Sequence, residues 1–222
     1  MRRLSLAVLA GLVTAGICAG VGMGPAVAAP PTPVTCGSVI TAPGQYCLAG
    51  LCGGPGITIL ADDVTLYLGG YLMIGPDFIG SGLTVAGSRA HVEGPGKVAG
   101  FSVGVAITGN GAHVSQVTAM GDLVGISASR SNGNQINNNY VQGNAEAGIQ
   151  LISSNSNTIA GNNVPENGLF GISVGRGSTG NGIHDNVVLR TGNYDLADDN
   201  PACDNNQWSG NQFVTANQPC IH

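Results

Sequence analysis

A short motif recurs along the chain every 21 to 26 residues, and this repeat restricts the fold more than any other feature. Each copy is a glycine followed by an apolar residue, a variable residue and a second apolar residue. The six copies begin at Gly56, Gly82, Gly104, Gly125, Gly148 and Gly171. Self-similarity at a period of about 20 to 50 residues is typical of proteins whose units stack on their neighbours. The repeat therefore predicts a stacked architecture with one unit per copy.

Two series of asparagines recur with the same period, one before and one after a recurring apolar position in each unit. The first series is Asn134, Asn157, Asn181 and Asn206, and the second is Asn139, Asn162, Asn186 and Asn211. Identical amides at one place in successive turns can hydrogen-bond to each other along a stack. The series therefore predict two asparagine ladders, whose role is structural because a ladder satisfies its own polar groups.

The segments between the glycines predict β-strands rather than helices. They are short runs of alternating polarity, separated by Gly, Asn and Ser turns that are too short to hold a crossover helix. Coils of about 23 residues with several short strands each stack about 4.8 Å apart as a parallel β-helix. We therefore expect an all-β, single-domain β-helix of about six to seven coils over residues 56–194. Residues 29–55 and 195–222 are expected to cap its open sheet edges.

The first 28 residues have the pattern of a secretory signal peptide. Arg2 and Arg3 precede an apolar run over residues 4–15, and residues 26–28 form a small-x-small cleavage pattern. The apolar run is too short for a membrane-spanning helix, which needs about 20 apolar residues, and no later stretch comes closer. The sequence therefore predicts cleavage near Ala28 and a secreted, extracellular protein without a membrane span.

Five of the six cysteines follow the predicted signal, and they cluster at the two ends of the remaining chain. Export to an oxidising compartment favours disulfides. The simplest local pairing joins two of Cys36, Cys47 and Cys52, and joins Cys203 to Cys220. Of the first three we favour Cys36 with Cys52. This choice leaves Cys47 over, as a buried small apolar residue.

The charge of the chain argues against one class of partner. The formal net charge is −5, and only 9% of the residues are charged. Nucleic acids and anionic membrane surfaces are bound by clusters of Lys and Arg, which this chain lacks. We therefore expect no nucleic-acid partner, and we expect a monomer.

Outward-facing residues can be aligned between coils from the second recurring apolar position. Its members are Val64, Val92, Val114, Ile136, Ile159, Ile183 and Trp208. Residues on either side of an inward position point outward in a strand. This alignment stacks Asp63, His91, His113 and Gln135 in one row, with Glu93 in the adjacent row and neighbours about 5 to 7 Å apart. It gives the only histidine and carboxylate cluster in the sequence.

Two kinds of chemistry fit this cluster. Two imidazoles and a carboxylate can bind a divalent metal, or can act as base and acid on a polysaccharide that lies along the face. Lyase chemistry on uronates also needs a cation, and Arg89 shares the strand side of His91 if the backbone there is extended. The candidate catalytic residues are Arg89, His91, Glu93 and His113, and the candidate substrate-binding residues are Asp63, Lys97 and Gln135. The sequence assigns no resident metal and no cofactor.

Several motifs together resemble one known group of proteins. They are Cys36-Gly37, the strand pair over 57–66, the turn over 94–98 and the asparagine series. They are similar to secreted bacterial right-handed parallel β-helix proteins of the pectin-lyase-like superfamily. The resemblance implies a right-handed β-helix but leaves function open, because that superfamily includes lyases, hydrolases, epimerases, adhesins and proteins without known activity. The segment over 67–71 departs from the Asp-x-Asn-Gly-His-like pattern that such proteins often carry.

Three functions remain after this reading. The favoured one is a scaffold that binds a polysaccharide or a cell-surface glycan without turnover, because the turns are short and no acid and base pair is complete. The second is a small polysaccharide lyase or epimerase that acts on a uronate polymer through the face of Arg89, His91, Glu93 and His113. The third is a metal-binding solenoid, similar in fold to periplasmic copper-site maturation proteins.

Overall fold

The computed structural model describes residues 29–222. These residues form 22 β-strands and one short 3-10 helix, Pro201–Cys203, and no α-helix occurs among them. No helix in the described range is long and apolar enough to cross a membrane. The predicted signal peptide, residues 1–28, lies outside the described residues.

The strands of successive coils pair in parallel and build three faces, and face 1 is a separate eight-stranded sheet. Its strands are β2 (Val39–Ile40), β5 (Ile57–Ile59), β8 (Ser81–Val85), β10 (Val103–Ile107), β12 (Val124–Ser129), β15 (Ala147–Ile152), β18 (Phe170–Val174) and β21 (Tyr194–Asp198).

Faces 2 and 3 belong to one sheet, because two long strands run across both of them. Face 2 contains β1 (Thr32–Val34), β3 (Gly44–Leu48), β6 (Val64–Tyr67), β9 (His91–Ala99), β11 (His113–Met120), β13 (Gln135–Asn137), β16 (Thr158–Ala160), β19 (Gly182–His184) and β22 (Gln207–Ser209). Face 3 contains β4 (Cys52–Gly53), β7 (Leu72–Ile74), the second halves of β9 and β11, β14 (Tyr140–Gln142), β17 (Asn163–Pro165) and β20 (Val187–Leu189).

This topology confirms the predicted all-β, right-handed parallel β-helix, which has about seven turns. Parallel strand pairing extends beyond both ends of the predicted repeat region, 56–194. Strands β1 to β4 precede residue 56, and β22 follows residue 194. The capping role of residues 29–55 and 195–222 stays a prediction.

Val, Ile and Leu side chains from the three faces fill the interior. Val92, Val114 and Ile136 on face 2 are fully buried, and Trp208 closes the same row in the last coil. Full burial of one such side chain stabilises the fold by about 1.5 to 3 kcal/mol relative to its exposure. Because strand residues alternate between the two sides, this inward row sets which residues of face 2 point to solvent.

Both predicted asparagine ladders are present. In the first, the backbone N–H of Asn134 donates to Oδ1 of Asn157 at 2.9 Å, and that of Asn157 donates to Oδ1 of Asn181 at 2.9 Å. In the second, Asn139 and Asn162 are linked in the same way at 2.9 Å. The side-chain amides also donate along the stack and to backbone carbonyls. The ladders therefore satisfy buried polar groups at two places in each coil.

The two predicted disulfides are confirmed. Cys36 is bonded to Cys52, and Cys203 is bonded to Cys220. Cys47 is buried in β3, with 1% of its surface exposed, and the expectation that it is left over as an unpaired cysteine is wrong. None of the cysteines in the range 29–222 is a free thiol.

Candidate functional site

His91 and His113 lie side by side on the outer surface of face 2. They are paired residues of β9 and β11. Because Val92 and Val114 point into the core, both imidazoles point to solvent, where they are half-buried. Their ring centroids are 5.6 Å apart, and the rings meet edge to face at 79°. The predicted neighbourhood of these two histidines is therefore present.

The register with the preceding coil differs from the predicted one by two residues. Thr65 is paired with His91, and Tyr67 is paired with Glu93. The sequence alignment placed Asp63 beside His91, which is wrong. Both Val64 and Leu66 are buried in β6, so alternation alone did not distinguish the two registers. The 26-residue spacing of Gly56 and Gly82 predicts the correct register, because Thr65 and His91 are also 26 residues apart.

Asp63 and Arg89 form an ion pair with each other at the corner between faces 1 and 2. Nε and Nη2 of Arg89 donate to the two carboxylate oxygens of Asp63 at 2.7 and 2.8 Å. The side-chain hydrogen bond from Arg89 lowers the pKa of Asp63. Arg89 has a φ of 54°, so its backbone is in the left-handed region and is not extended. The expectation that Arg89 shares the side of His91 is therefore wrong.

Lys97 and Gln135, the two other predicted substrate-binding residues, lie on different faces of the β-helix. Strand β9 turns the corner at Gly94 and Pro95, so Lys97 is paired with Thr118 in the second half of β11, on face 3. Gln135 is paired with His113 and is exposed. The structure therefore keeps Gln135 in the histidine row and places Lys97 on another face.

Eight side chains of face 2 form two adjacent outward rows, which we name the His strip. The first row is Thr65, His91, His113 and Gln135, and the second is Tyr67, Glu93, Ser115 and Asn137. Neighbours within a row are about 4.8 Å apart, which is the strand spacing. The sequence analysis did not identify Tyr67 as a member and placed Thr65 in the row of Glu93, whereas the correct glycine register gives the observed positions of both.

The electrostatic environment of the His strip favours uncharged forms of two of its groups. Burial lowers the pKa of His113, the nearby His91 lowers it further, and Glu93 opposes both effects. Burial raises the pKa of Tyr67, and the charge of Glu93 adds to this rise. At neutral pH the imidazole of His113 is therefore neutral, so it can accept a hydrogen bond or donate a lone pair to a metal.

Comparison with protein families gives one match. The model of the family described as periplasmic copper-binding protein (NosD) matches residues 82–218. A comparison with curated proteins found no match.

Solved structures similar to this chain include a mannuronan epimerase, an alginate epimerase and an alginate lyase. The A-module of the mannuronan C-5 epimerase AlgE6 of Azotobacter vinelandii has a TM-score of 0.58 and 14% identity, over 86% of this chain and 68% of that one. A mutant of the periplasmic alginate epimerase AlgG has a TM-score of 0.48 and 22% identity, over 66% of this chain. The match spans 39% of the AlgG chain. An alginate lyase from Paenibacillus sp. str. FPU-7 has a TM-score of 0.36 and 12% identity, over 83% of this chain and 75% of that one.

The copper in the family description can be tested against the donor atoms of this chain. Imidazole nitrogen is a suitable ligand for copper. No group of three or more His, Cys, Asp and Glu residues within 29–222 has the geometry of a metal site. His91 and His113 provide two adjacent imidazoles, one of which is neutral at neutral pH because its pKa is lowered by burial. The pair therefore offers two imidazole donors for copper, without a third donor of these residue types to complete a site in the described range.

Proposed function

This chain belongs to the NosD family of periplasmic copper-binding proteins, and from that premise we propose that it is an exported protein whose His strip binds a polysaccharide without turnover. The family description and the two disulfides support export, because disulfides persist in oxidising compartments outside the cytoplasm. A secreted, extracellular location is part of the proposal. The ligand is a polysaccharide or a cell-surface glycan.

The observation that carries this proposal is the His strip itself. It presents hydroxyl, imidazole, amide and carboxylate groups in two straight rows across adjacent strands. A polysaccharide presents hydroxyl groups at regular intervals along its length, so it can form hydrogen bonds with several coils at once. Each bond is weak in water, at about 0.5 to 1.5 kcal/mol, and a repeated set of them supplies affinity.

The composition of the strip supports binding rather than turnover. Glu93 is the one carboxylate among its eight side chains, and the guanidinium of Arg89 is engaged by Asp63 at the neighbouring corner. Hydrolysis of glycosidic bonds uses two carboxyl groups at a defined separation. Abstraction of a proton next to a uronate carboxylate needs a cation to stabilise the charge that develops. The strip contains neither arrangement.

Retention on immobilised polysaccharides tests this proposal. We expect the purified protein to bind at least one acidic or neutral polysaccharide, and the double variant His91→Ala/His113→Ala to bind it about tenfold more weakly. The matched control is Thr118→Ala/Tyr140→Ala, which removes two paired outward side chains from face 3. Equal loss in both variants, or no loss in either, would contradict the assignment of the contact surface to the His strip.

The same samples test the absence of turnover. Absorbance of unsaturated uronates and the number of reducing ends should stay constant during incubation with each bound polysaccharide. A rise that disappears in the His91→Ala/His113→Ala variant would replace this proposal with a lyase or hydrolase.

A second candidate function is copper binding by His91 and His113, which the adjacency of the two imidazoles favours. Bound copper would supply a redox-active Lewis acid at the surface of face 2. The two histidines would hold it, with Glu93 and Tyr67 beside them in the second row. Ionisation of the imidazoles controls this binding, because only the neutral ring has a lone pair for the metal.

Dialysis of the protein after incubation with a copper salt tests the second candidate. We expect about one retained copper ion per chain and its loss in His113→Gln, with His184→Gln as the control because His184 is hydrogen-bonded to Asp185 on a distant coil. Since the pKa of His113 is lowered, its imidazole stays neutral to a more acidic pH than an ordinary histidine does. Copper should therefore be retained down to a pH below about 6.5. Equal retention by the wild type and His113→Gln would exclude this site.

A further inference from the structure

A third ladder, which the sequence analysis did not identify, runs along the corner between faces 3 and 1. It contains Asn144 and Asn167, which are fully buried, and Asp122 occupies the same place one coil earlier. Each of the three is the second residue after a strand or strand segment of face 3. The residue before each has a left-handed backbone, with φ of 65°, 64° and 60°. Asp122 therefore occupies the position of an asparagine in an otherwise equivalent turn.

One oxygen of Asp122 replaces the amide oxygen of a ladder asparagine. The backbone N–H of Asn144 donates to Oδ1 of Asn167 at 3.0 Å, and that of Asp122 donates to Oδ1 of Asn144 at 3.0 Å. The backbone N–H of Phe101 donates to Oδ1 of Asp122 at 2.8 Å in the same way. This half of the side chain therefore continues the ladder.

The other oxygen of Asp122 lies where the ladder has an amide nitrogen. A Cβ atom built on Gly125 would lie 2.7 Å from Nδ2 of Asn144, and one built on Gly148 would lie 2.8 Å from Nδ2 of Asn167. The same construction on Gly104, one coil earlier, comes within 2.5 Å of Oδ2 of Asp122. An acceptor atom therefore stands at the donor position of the turn.

The partners of that position are acceptors. Nδ2 of Asn144 donates to the carbonyl of Ala119 at 3.4 Å, and Nδ2 of Asn167 donates to the carbonyl of Val141 at 3.0 Å. The strand register assigns Val98 as the equivalent residue for Asp122, because Val98 is paired with Ala119. Oδ2 is buried and has no hydrogen-bond partner as an acceptor. A carboxylate there would leave a buried charge unsatisfied, whereas a carboxylic acid has the O–H donor that the position requires.

We propose that Asp122 is protonated in the most stable form of this protein, that its O–H completes the third ladder, and that release of this proton to solvent at alkaline pH loosens the corner between β11 and β12. Strand β11 also carries His113, so the loosened corner adjoins the strand that supports the His strip.

The electrostatic surroundings of Asp122 agree with this role. Burial raises its pKa to about 7, and the hydrogen bond from the backbone of Phe101 lowers it by less. The titratable side chains on the strands and the turn packed against it all lie on the outer surface: His91, Glu93, Lys97, His113, Tyr140 and Glu146. Removal from water therefore dominates the equilibrium of this carboxyl group.

The direction of the pH dependence follows from proton linkage. The unfolded chain releases this proton near the ordinary value of 3.8, and the folded protein keeps it until about pH 7. The contribution of Asp122 to stability is therefore full below the ordinary value and decreases as the pH rises toward about 7. Above the folded pKa the contribution is lost.

Thermal melting between about pH 5 and about pH 8.5 tests the proposal on the full protein. We expect the melting temperature of the wild type to fall by several degrees across this interval, and that of Asp122→Asn to stay nearly constant and to exceed the wild type at the alkaline end. Asp199→Asn removes a charge from an exposed position and should keep the wild-type dependence. Asn144→Asp places the same acid one coil further and should steepen the fall.

Infrared or carbon NMR titration of the wild-type carboxyl groups gives an independent measurement if a variant fails to fold. A carboxyl group that titrates near 7 supports the proposal. Its absence, or a melting curve of Asp122→Asn that falls with pH as the wild type does, would overturn it.

Discussion

Single asparagines in the ladders contribute several hydrogen bonds each. The side-chain amide of Asn162 donates to the carbonyl of Ile136 at 2.8 Å and to Oδ1 of Asn186 at 2.9 Å. Its Oδ1 accepts from the backbone N–H of Asn139 at 2.9 Å. The residue is almost completely buried, so water cannot replace these partners. A ladder position therefore tolerates few side chains, although it has no contact with a ligand.

We expect Asn162→Ala to lower the free energy of unfolding by about 2 to 3 kcal/mol, because it removes the acceptor of the buried N–H of Asn139 and the donor to the carbonyl of Ile136 and to Oδ1 of Asn186. The matched control is the adjacent Asn163→Ala, which removes an exposed amide from β17 and should change stability by less than about 0.5 kcal/mol. Urea unfolding of both variants measures the difference. Equal effects of the two substitutions would show that the ladder bonds contribute nothing beyond the surface amide.

Among the strands, β9 and β11 position the two histidines of the His strip. Each is long enough to cover part of face 2 and part of face 3, and each changes face within its own length. Residues a few positions apart in β9, such as Glu93 and Lys97, therefore lie on different faces. The sequence predicted that these strands exist and which of their residues are buried. The sequence also marked the turn over 94–98, where β9 changes face, but the analysis still grouped Lys97 with the residues of the histidine cluster.

The segment after β21 is connected to the last coil by the second disulfide. Cys203 is buried beside the core that Trp208 closes, and Nε1 of Trp208 donates to Oδ2 of Asp198 at 3.1 Å. Cys220 is bonded to Cys203 across 17 residues. A bridge of this span restricts the unfolded chain and holds the C-terminal residues against the coil.

We expect the double variant Cys203→Ser/Cys220→Ser to lower the free energy of unfolding by about 2 to 4 kcal/mol, since it removes the restriction on that loop. The midpoint of urea unfolding under oxidising conditions measures the effect. Reducing agent should then shift the wild type by more than the variant, because only the wild type still has this bridge to lose. An unchanged midpoint in the variant would contradict the stabilising role of the bridge.

At the scale of the whole molecule, stability is distributed along one direction. Each coil packs against the coils before and after it, and the described chain has no second core that packs against the first. The outer surface is therefore a set of flat faces with repeated spacing, to which single side chains add chemistry. The proposal of a polysaccharide ligand rests on this geometry, because a ligand that is itself a repeating chain can contact several coils at once.

The sequence by itself determined the repeat, the parallel β-helix and the two asparagine ladders, because each of these is encoded by residues that recur at a fixed period. It favoured the two disulfide pairs, and the structure decided between the pairings that were open. Only the tertiary structure decided the register between β6 and β9, the pairing of Arg89 with Asp63 and the third ladder with Asp122 at its head. Val64 and Leu66 of β6 are both buried, so the alternation of polarity fits either register, and the glycine and apolar series of the sequence predicted different ones. A single aspartate in an asparagine series has no periodic signal, and its significance comes from the acceptors that the neighbouring coils place around it.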